Sequence, residues 1–255
     1  MTTLSTSLAD SPLPPATLIK EWSRFGAFLT RPVLPQQRGG ERNGFVAVGR
    51  LLGLDMIIML LFVLALSAAG AFGFELPENV NNQLGLTLVA ITLVVIVAPL
   101  GEELVFRSWL AGHPAVLAAA AICLVGFGLI PFVAILSAPD GNLPLWAHFS
   151  PVIAGLAAVA AAIALRKAEV PRLFARGFPF FFWFSVIGFA LVHIANYSEG
   201  FTWVVLPLVL PQFALGTMLG YLRVHYGLIH AIALHAIHNA ILFSLAMIGQ
   251  SVAGT

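Results

Sequence analysis

The sequence predicts an all-α, polytopic membrane helix bundle of about seven transmembrane helices, with an N-terminal amphipathic helix at the membrane interface. Composition is the first ground for this: of 255 residues 60% are hydrophobic and 9% charged, whereas soluble domains carry about 25% charged residues. The mean hydropathy of +0.97 agrees. The second is that apolar residues gather into seven stretches, each near the roughly 20 residues that a spanning helix requires. The third is that Lys and Arg collect in alternate loops, the signature of cytoplasmic segments. A net charge of +1 leaves no broad basic face for nucleic acid. The single cysteine, Cys123, rules out a disulfide framework or a thiolate metal cluster and reads as a packing residue.

Residues 1–50 form a cytoplasmic segment in this reading. Residues 1–16, rich in Ser, Thr and Pro, are expected as a disordered tail and lack the apolar core of a signal peptide. From Thr17 onward Leu18, Trp22, Phe25 and Leu29 recur at helical spacing, with Lys20, Glu21 and Arg24 on the other side. Such a helix lies in the membrane interface or packs on the protein itself. Arg31-Pro32 ends it, and 36–43 is a polar linker. The transmembrane domain occupies 51–255, with spans at about 51–74, 84–111, 114–137, 149–166, 178–197, 202–223 and 228–249. Polar separators lie at 75–83, 138–148, 166–177 and 196–200. The second span is longer than needed and holds Glu102, Glu103 and Arg107. It is therefore expected to tilt or break, with the acids facing protein rather than lipid.

Lys20, Arg24, Arg31, Arg38, Arg42 and Arg50 precede the first span. Arg166, Lys167, Arg172 and Arg176 lie between the fourth and fifth, and Arg223 ends the sixth. The intervening loops hold Glu75, Glu78, Asp140 and Glu199 without Lys or Arg. The N-terminus is thus expected in the cytoplasm and, after seven spans, the C-terminus outside. A short multi-pass chain with basic cytoplasmic loops fits a bacterial inner (plasma) membrane. At 1.5 Å per residue, Glu102, His193 and His235 then lie at depths of about 15, 22 and 11 Å, which permits them to meet.

Ionisable and amide side chains inside a membrane are costly, and their default reading is functional. Glu103 and Arg107 are four apart in the favourable acid-before-base order and nearly neutralise each other. Glu102 is turned about 100° away and is left free to act as a general base. His193, on another span, is its natural partner in polarising a water. His235 and Asn239 share one helix face, where an imidazole and a carboxamide can donate to a developing oxyanion. His238 points about 60° to the other side of His235. Phe189, one turn before His193, and Asn196, three residues after it, are supporting candidates. Asp55 reads as snorkelling or pairing with Arg50. His113, His148, His225 and His230 read as residues bordering spans.

EELVFR (102–107), FALVH (189–193) and HAIHN (235–239) resemble, in the same order, the EExxxR, FxxxH and HxxxN motifs of the CPBP family, the CAAX proteases and bacteriocin-processing enzymes also called the ABI family. The resemblance covers about 84–249. It implies an intramembrane glutamate-type endopeptidase similar to the Ras-converting CAAX endopeptidase, cleaving a membrane-associated protein or peptide with or without a lipid group. It further implies that Glu102 and His193 activate water, that His235 and Asn239 form the oxyanion site, and that Glu103 and Arg107 orient site or substrate. No cofactor or metal is expected; the partners are membrane lipid and a peptide or protein substrate. One departure from the family pattern is that about 80 residues, including two further spans, separate EELVFR from FALVH. Two alternatives stay open. Two Glu and two His are also zinc-type ligands, although no HExxH is present. Intramembrane Glu and His also serve proton-coupled transporters, although internal repeats are lacking, and a bacteriocin immunity protein would bind without cleaving.

Overall fold

The computed structural model describes residues 16–35, 38–80, 87–137 and 142–253. The expected tail at 1–16 lies outside these residues but for Ala16, as do Gln36 and Gln37 of the linker. Among the described residues every regular element is helical: α1 (Leu18–Thr30), α2 (Glu41–Ala71), α3 (Leu88–Phe106), α4 (Pro114–Ser137), α5 (Leu145–Ala164), α6 (Arg172–Val192), α7 (Leu210–His225) and α8 (Leu228–Ala253). Six of them, α2 to α6 and α8, are long and apolar enough to cross a membrane, so the chain is an integral, multi-pass membrane protein. The chain forms two compact units, residues 1–107 with 178–255, and residues 108–177.

The stretch expected as the sixth span, 202–223, behaves differently from the other six. It forms a 3-10 turn, Leu206–Val209, followed by the 16-residue helix α7. Every residue from Leu215 to Val224 is buried, so α7 is a core helix of the first unit, enclosed by protein over nearly three turns. Its C-terminus turns sharply into α8. Gly227 takes φ +121°, a conformation that a side chain resists, and its N–H bonds back to Leu222 O at 3.0 Å.

The N-terminal elements also depart from expectation. α2 begins at Glu41 rather than near 51, so the polar linker is shorter and the helix overruns the membrane core. Its buried stripe is Gly44, Ala47, Val48, Leu51 and Asp55, one face at helical spacing. α1 packs on the protein through Glu21, Phe25 and Phe28. Glu21, expected on the polar side, is 1% exposed; it accepts hydrogen bonds from the Tyr221 and Tyr226 hydroxyls at 2.7 and 2.9 Å and pairs with Arg50 at 3.7 Å. Phe28 meets Phe182, His225 and Tyr221 edge-on at 4.9–5.5 Å. The helix is amphipathic as expected, but its inward face carries a paired acid. Arg50 is therefore committed to Glu21, and Asp55 pairs instead with His238.

In the second unit a stripe of small residues on α5, Ala147, Ser150, Ala154 and Ala158, is buried. Its counterpart on α4 includes Gly126, where a side chain would fall on the Ala154 methyl. Small residues let helices approach closely where lipid supplies no hydrophobic drive. α4 is π-helical over Leu124–Leu129, and the Ser150 hydroxyl donates to Gly126 O there at 3.1 Å.

Candidate active site

The second span is broken where the acids sit. α3 is π-helical over Leu93–Val97, regular over Ala98–Phe106, and stops at Arg107 with φ −122°. A helix end leaves carbonyls without intrahelical partners, and in a membrane these must be satisfied by protein. Two side chains do so: Ser185 Oγ donates to Phe106 O at 2.6 Å, and Arg223 Nε donates to Arg107 O at 2.8 Å. Neither residue was expected at the site. The signal for Arg223 was misleading, because a basic residue near a span end reads as an orientation marker, whereas its side chain is buried.

The Glu103–Arg107 pair forms as the spacing predicts, with Arg107 Nη1 donating to Glu103 Oε1 at 3.1 Å and both side chains 0% exposed. Three further contacts surround it. The Arg107 guanidinium carbon lies 3.8 Å from the centre of the Phe189 ring, a cation–π contact that offsets part of the cost of burial. Phe189 in turn meets the His193 and His235 rings at centroid distances of 4.7 and 5.5 Å. Phe189 is thus the platform on which the cation and both imidazoles rest. Gly216 of α7 makes room for this arrangement: a Cβ there would come within 3.1 Å of Phe189 and 3.2 Å of Arg107 Nη2.

Glu102 faces both histidines. Its Oε2 lies 3.7 Å from His193 Nε2 and 3.7 Å from His235 Nε2. That separation is too long for a direct hydrogen bond. Among the described residues Glu102 Oε2 is buried without a protein hydrogen bond. The Glu102 side chain as a whole is 30% exposed and His193 16%, against 2% for His235. The cluster is therefore open on the Glu102–His193 side and closed behind His235.

The far ring nitrogens assign the tautomers. His193 Nδ1 lies 2.7 Å from Phe189 O; a carbonyl only accepts, so Nδ1 carries the proton and Nε2 of the neutral ring presents a lone pair to Glu102. His235 Nδ1 lies 3.0 Å from Glu103 Oε1, so it too is an N–H donor. Glu103 Oε1 therefore accepts from both Arg107 and His235. Asn239 is one turn along α8 from His235, and its Nδ2 donates to Val94 O at 2.9 Å. Val94 lies in the π-helical segment of α3, where the ladder is dislocated and a carbonyl is released to a side chain. One Asn239 N–H is thereby committed and the second is left.

Glu102, Glu103, Arg107, Phe189, His193 and His235 are joined by these contacts, and Asn239 adjoins them through α3. Asn196 ends the 3-10 turn that follows α6, half-buried, and shares none of the contacts just described. His230 packs elsewhere, with Nε2 donating to Glu41 O at 3.1 Å. His113 caps α4, its Nδ1 accepting from Ala115 N at 3.3 Å. Among the described residues no group of three His, Cys, Asp or Glu side chains has the geometry of a metal site.

A family model described as type II CAAX prenyl endopeptidase Rce1-like matches residues 84–241. No curated protein and no solved structure matches the chain. The match spans all three motifs and leaves α1 and α2 outside it.

Proposed function

The chain belongs to the type II CAAX prenyl endopeptidase Rce1-like family of peptide hydrolases, and from that premise we propose that Glu102 and His193 activate the water that cleaves an intramembrane peptide bond. The observation that carries this reading is the placement of one carboxylate oxygen 3.7 Å from two imidazole Nε2 atoms. A water there donates one hydrogen to Glu102 and the other to the His193 lone pair, and its oxygen is left to attack. The water proton passes to Glu102 as the new C–O bond forms. Glu102 returns that proton to the amine as the C–N bond breaks, so proton and electron pairs balance.

His235 and Asn239 serve the oxyanion. Because His235 Nδ1–H is committed to Glu103, its Nε2 can donate only when the ring is an imidazolium. Glu103 stabilises that charge and fixes the ring, the part played by the third member of a catalytic triad. The second Asn239 N–H completes the donor pair. The proposed substrate is a membrane-associated protein or peptide, and a prenylated tail is the first candidate. A cytoplasmic N-terminus and a bacterial inner membrane belong to the same proposal, on the one-sided distribution of Lys and Arg.

The test uses the full chain in lipid nanodiscs with an internally quenched farnesylated peptide ending in a CAAX tail. Cleavage by the wild-type chain, unaffected by chelators and abolished by Glu102→Gln, is the expected result. Activity lost on chelation and restored by Zn²⁺ would replace the mechanism with the metal-dependent one.

A further inference from the structure

The motif helix α8 is held by three polar contacts, two to α3 and one to α2. His235 reaches Glu103 at 3.0 Å, Asn239 reaches Val94 O at 2.9 Å, and His238 reaches Asp55 of α2 at 2.6 Å. The first two lie within the proposed reaction site. The third does not, yet it is the shortest, and Asp55 is 1% exposed. A carboxylate so deep in an apolar helix is retained at a large solvation cost and calls for a role. α8 packs against α2, α3 and α7, so the contact to α2 fixes its rotation from a direction that the two contacts to α3 do not.

We infer that Asp55 is a positioning residue of the active site, acting through His238 to set the rotation of α8 and hence the aim of His235 and Asn239. The inference rests on the reading of His235 and Asn239 as oxyanion donors. It also goes beyond the matched family region, since Asp55 lies in α2, before residue 84 where that match begins. The physical argument is leverage. His238 is adjacent to Asn239 and one turn from His235. Side-chain tips lie about 5–6 Å from a helix axis, so a rotation of about 10° moves them by about 1 Å. A displacement of that size costs on the order of 10²-fold in rate when reacting groups must be aligned. Asp55 Oδ2 accepts from His238 Nδ1, which locks this ring's tautomer and couples the first span to the motif helix.

Asp55 rather than His238 is the residue to change, because removing the imidazole would strand a buried carboxylate. Asp55→Ala leaves a neutral imidazole, and Asp55→Asn keeps an acceptor for its N–H. Full-length chains with ¹⁵N-labelled histidine in nanodiscs supply a readout independent of turnover. In Asp55→Ala the ring signals of His235 should shift while those of His113 and His148 stay. With the farnesylated CAAX peptide as probe, kcat should fall about 10-fold or more with KM within about twofold. Asp55→Asn should recover kcat to within about threefold of wild type, because the hydrogen bond, not the charge, does the positioning. The inference is overturned if His235 signals are unmoved in Asp55→Ala, if kcat falls only in proportion to the folded fraction, or if Asp55→Asn is no better than Asp55→Ala. A wild-type chain that cleaves no peptide would refute the proposed function alone, and the histidine signals would still decide the role of Asp55.

Discussion

Two adjacent glutamates in one helix have opposite surroundings. Glu103 is fully buried and accepts from Arg107 and His235, whereas Glu102 is 30% exposed and faces two imidazole Nε2 atoms across 3.7 Å. The consecutive acids therefore differ in access, one buried and paired, the other partly exposed beside two imidazoles. Glu102→Gln should preserve the fold and abolish turnover, because the amide has the shape but cannot take the water proton; an unchanged melting temperature with no peptide cleavage is the expected pair of results. Asn239→Ala should lose about 10²–10³-fold in kcat, the usual cost of one oxyanion donor, with little change in KM. Arg107→Ala strands Glu103 and leaves the Phe189 face uncovered. It should cost about 3–5 kcal/mol of stability, seen as a melting temperature drop in detergent and not only as lost activity.

At the scale of elements, interruptions in helices place the chemistry. The π-helical segment at Leu93–Val97 releases the carbonyl that orients Asn239. The stop at Arg107 is sealed by Ser185 and Arg223. Close approach of α7 through Gly216 completes the packing around Arg107 and Phe189. Gly216→Val, which overfills that contact, should cost about 1–3 kcal/mol and lower the thermal midpoint, since neither Phe189 nor Arg107 has room to move. α1 illustrates a different dependence. Its docking rests on Glu21 with two tyrosine hydroxyls, Arg50 and a cluster of aromatic rings. Glu21→Ala leaves buried hydroxyls unpaired, at about 1–3 kcal/mol. Limited proteolysis should then cut within 18–40 far faster than in wild type, with the remaining spans protected.

At the scale of the whole molecule, the two compact units divide the chain's work. Every residue of the candidate site belongs to the unit formed by 1–107 and 178–255, and the other unit, 108–177, lies wholly between EELVFR and FALVH. The long separation between those motifs therefore does not disrupt the contacts among Glu102, His193 and His235. Orientation in the membrane is testable on the intact chain. With Cys123 replaced, Lys167→Cys should react with an impermeant maleimide only from the cytoplasmic side; labelling from outside would reverse the proposed topology.

The sequence by itself determined the membrane class and six of the seven spans it predicts, those that form long apolar helices, because hydropathy is a local property that can be summed along the chain. It also determined the Glu103–Arg107 pair, since four residues on a helix define a distance. What only tertiary structure decided is whose side chain answers whose across helices. Asp55 looked like a partner for nearby Arg50 but bonds His238, 183 residues away, and Arg50 bonds Glu21. Glu21 looked solvent-facing on a helical wheel, yet it is buried against tyrosines some 200 residues along the chain. The stretch at 202–223 looked like one more lipid-facing span and proved to be a core helix, because hydropathy cannot distinguish a residue covered by lipid from one covered by protein. The same limit hid Ser185 and Arg223, whose roles exist only because α3 ends where their side chains arrive.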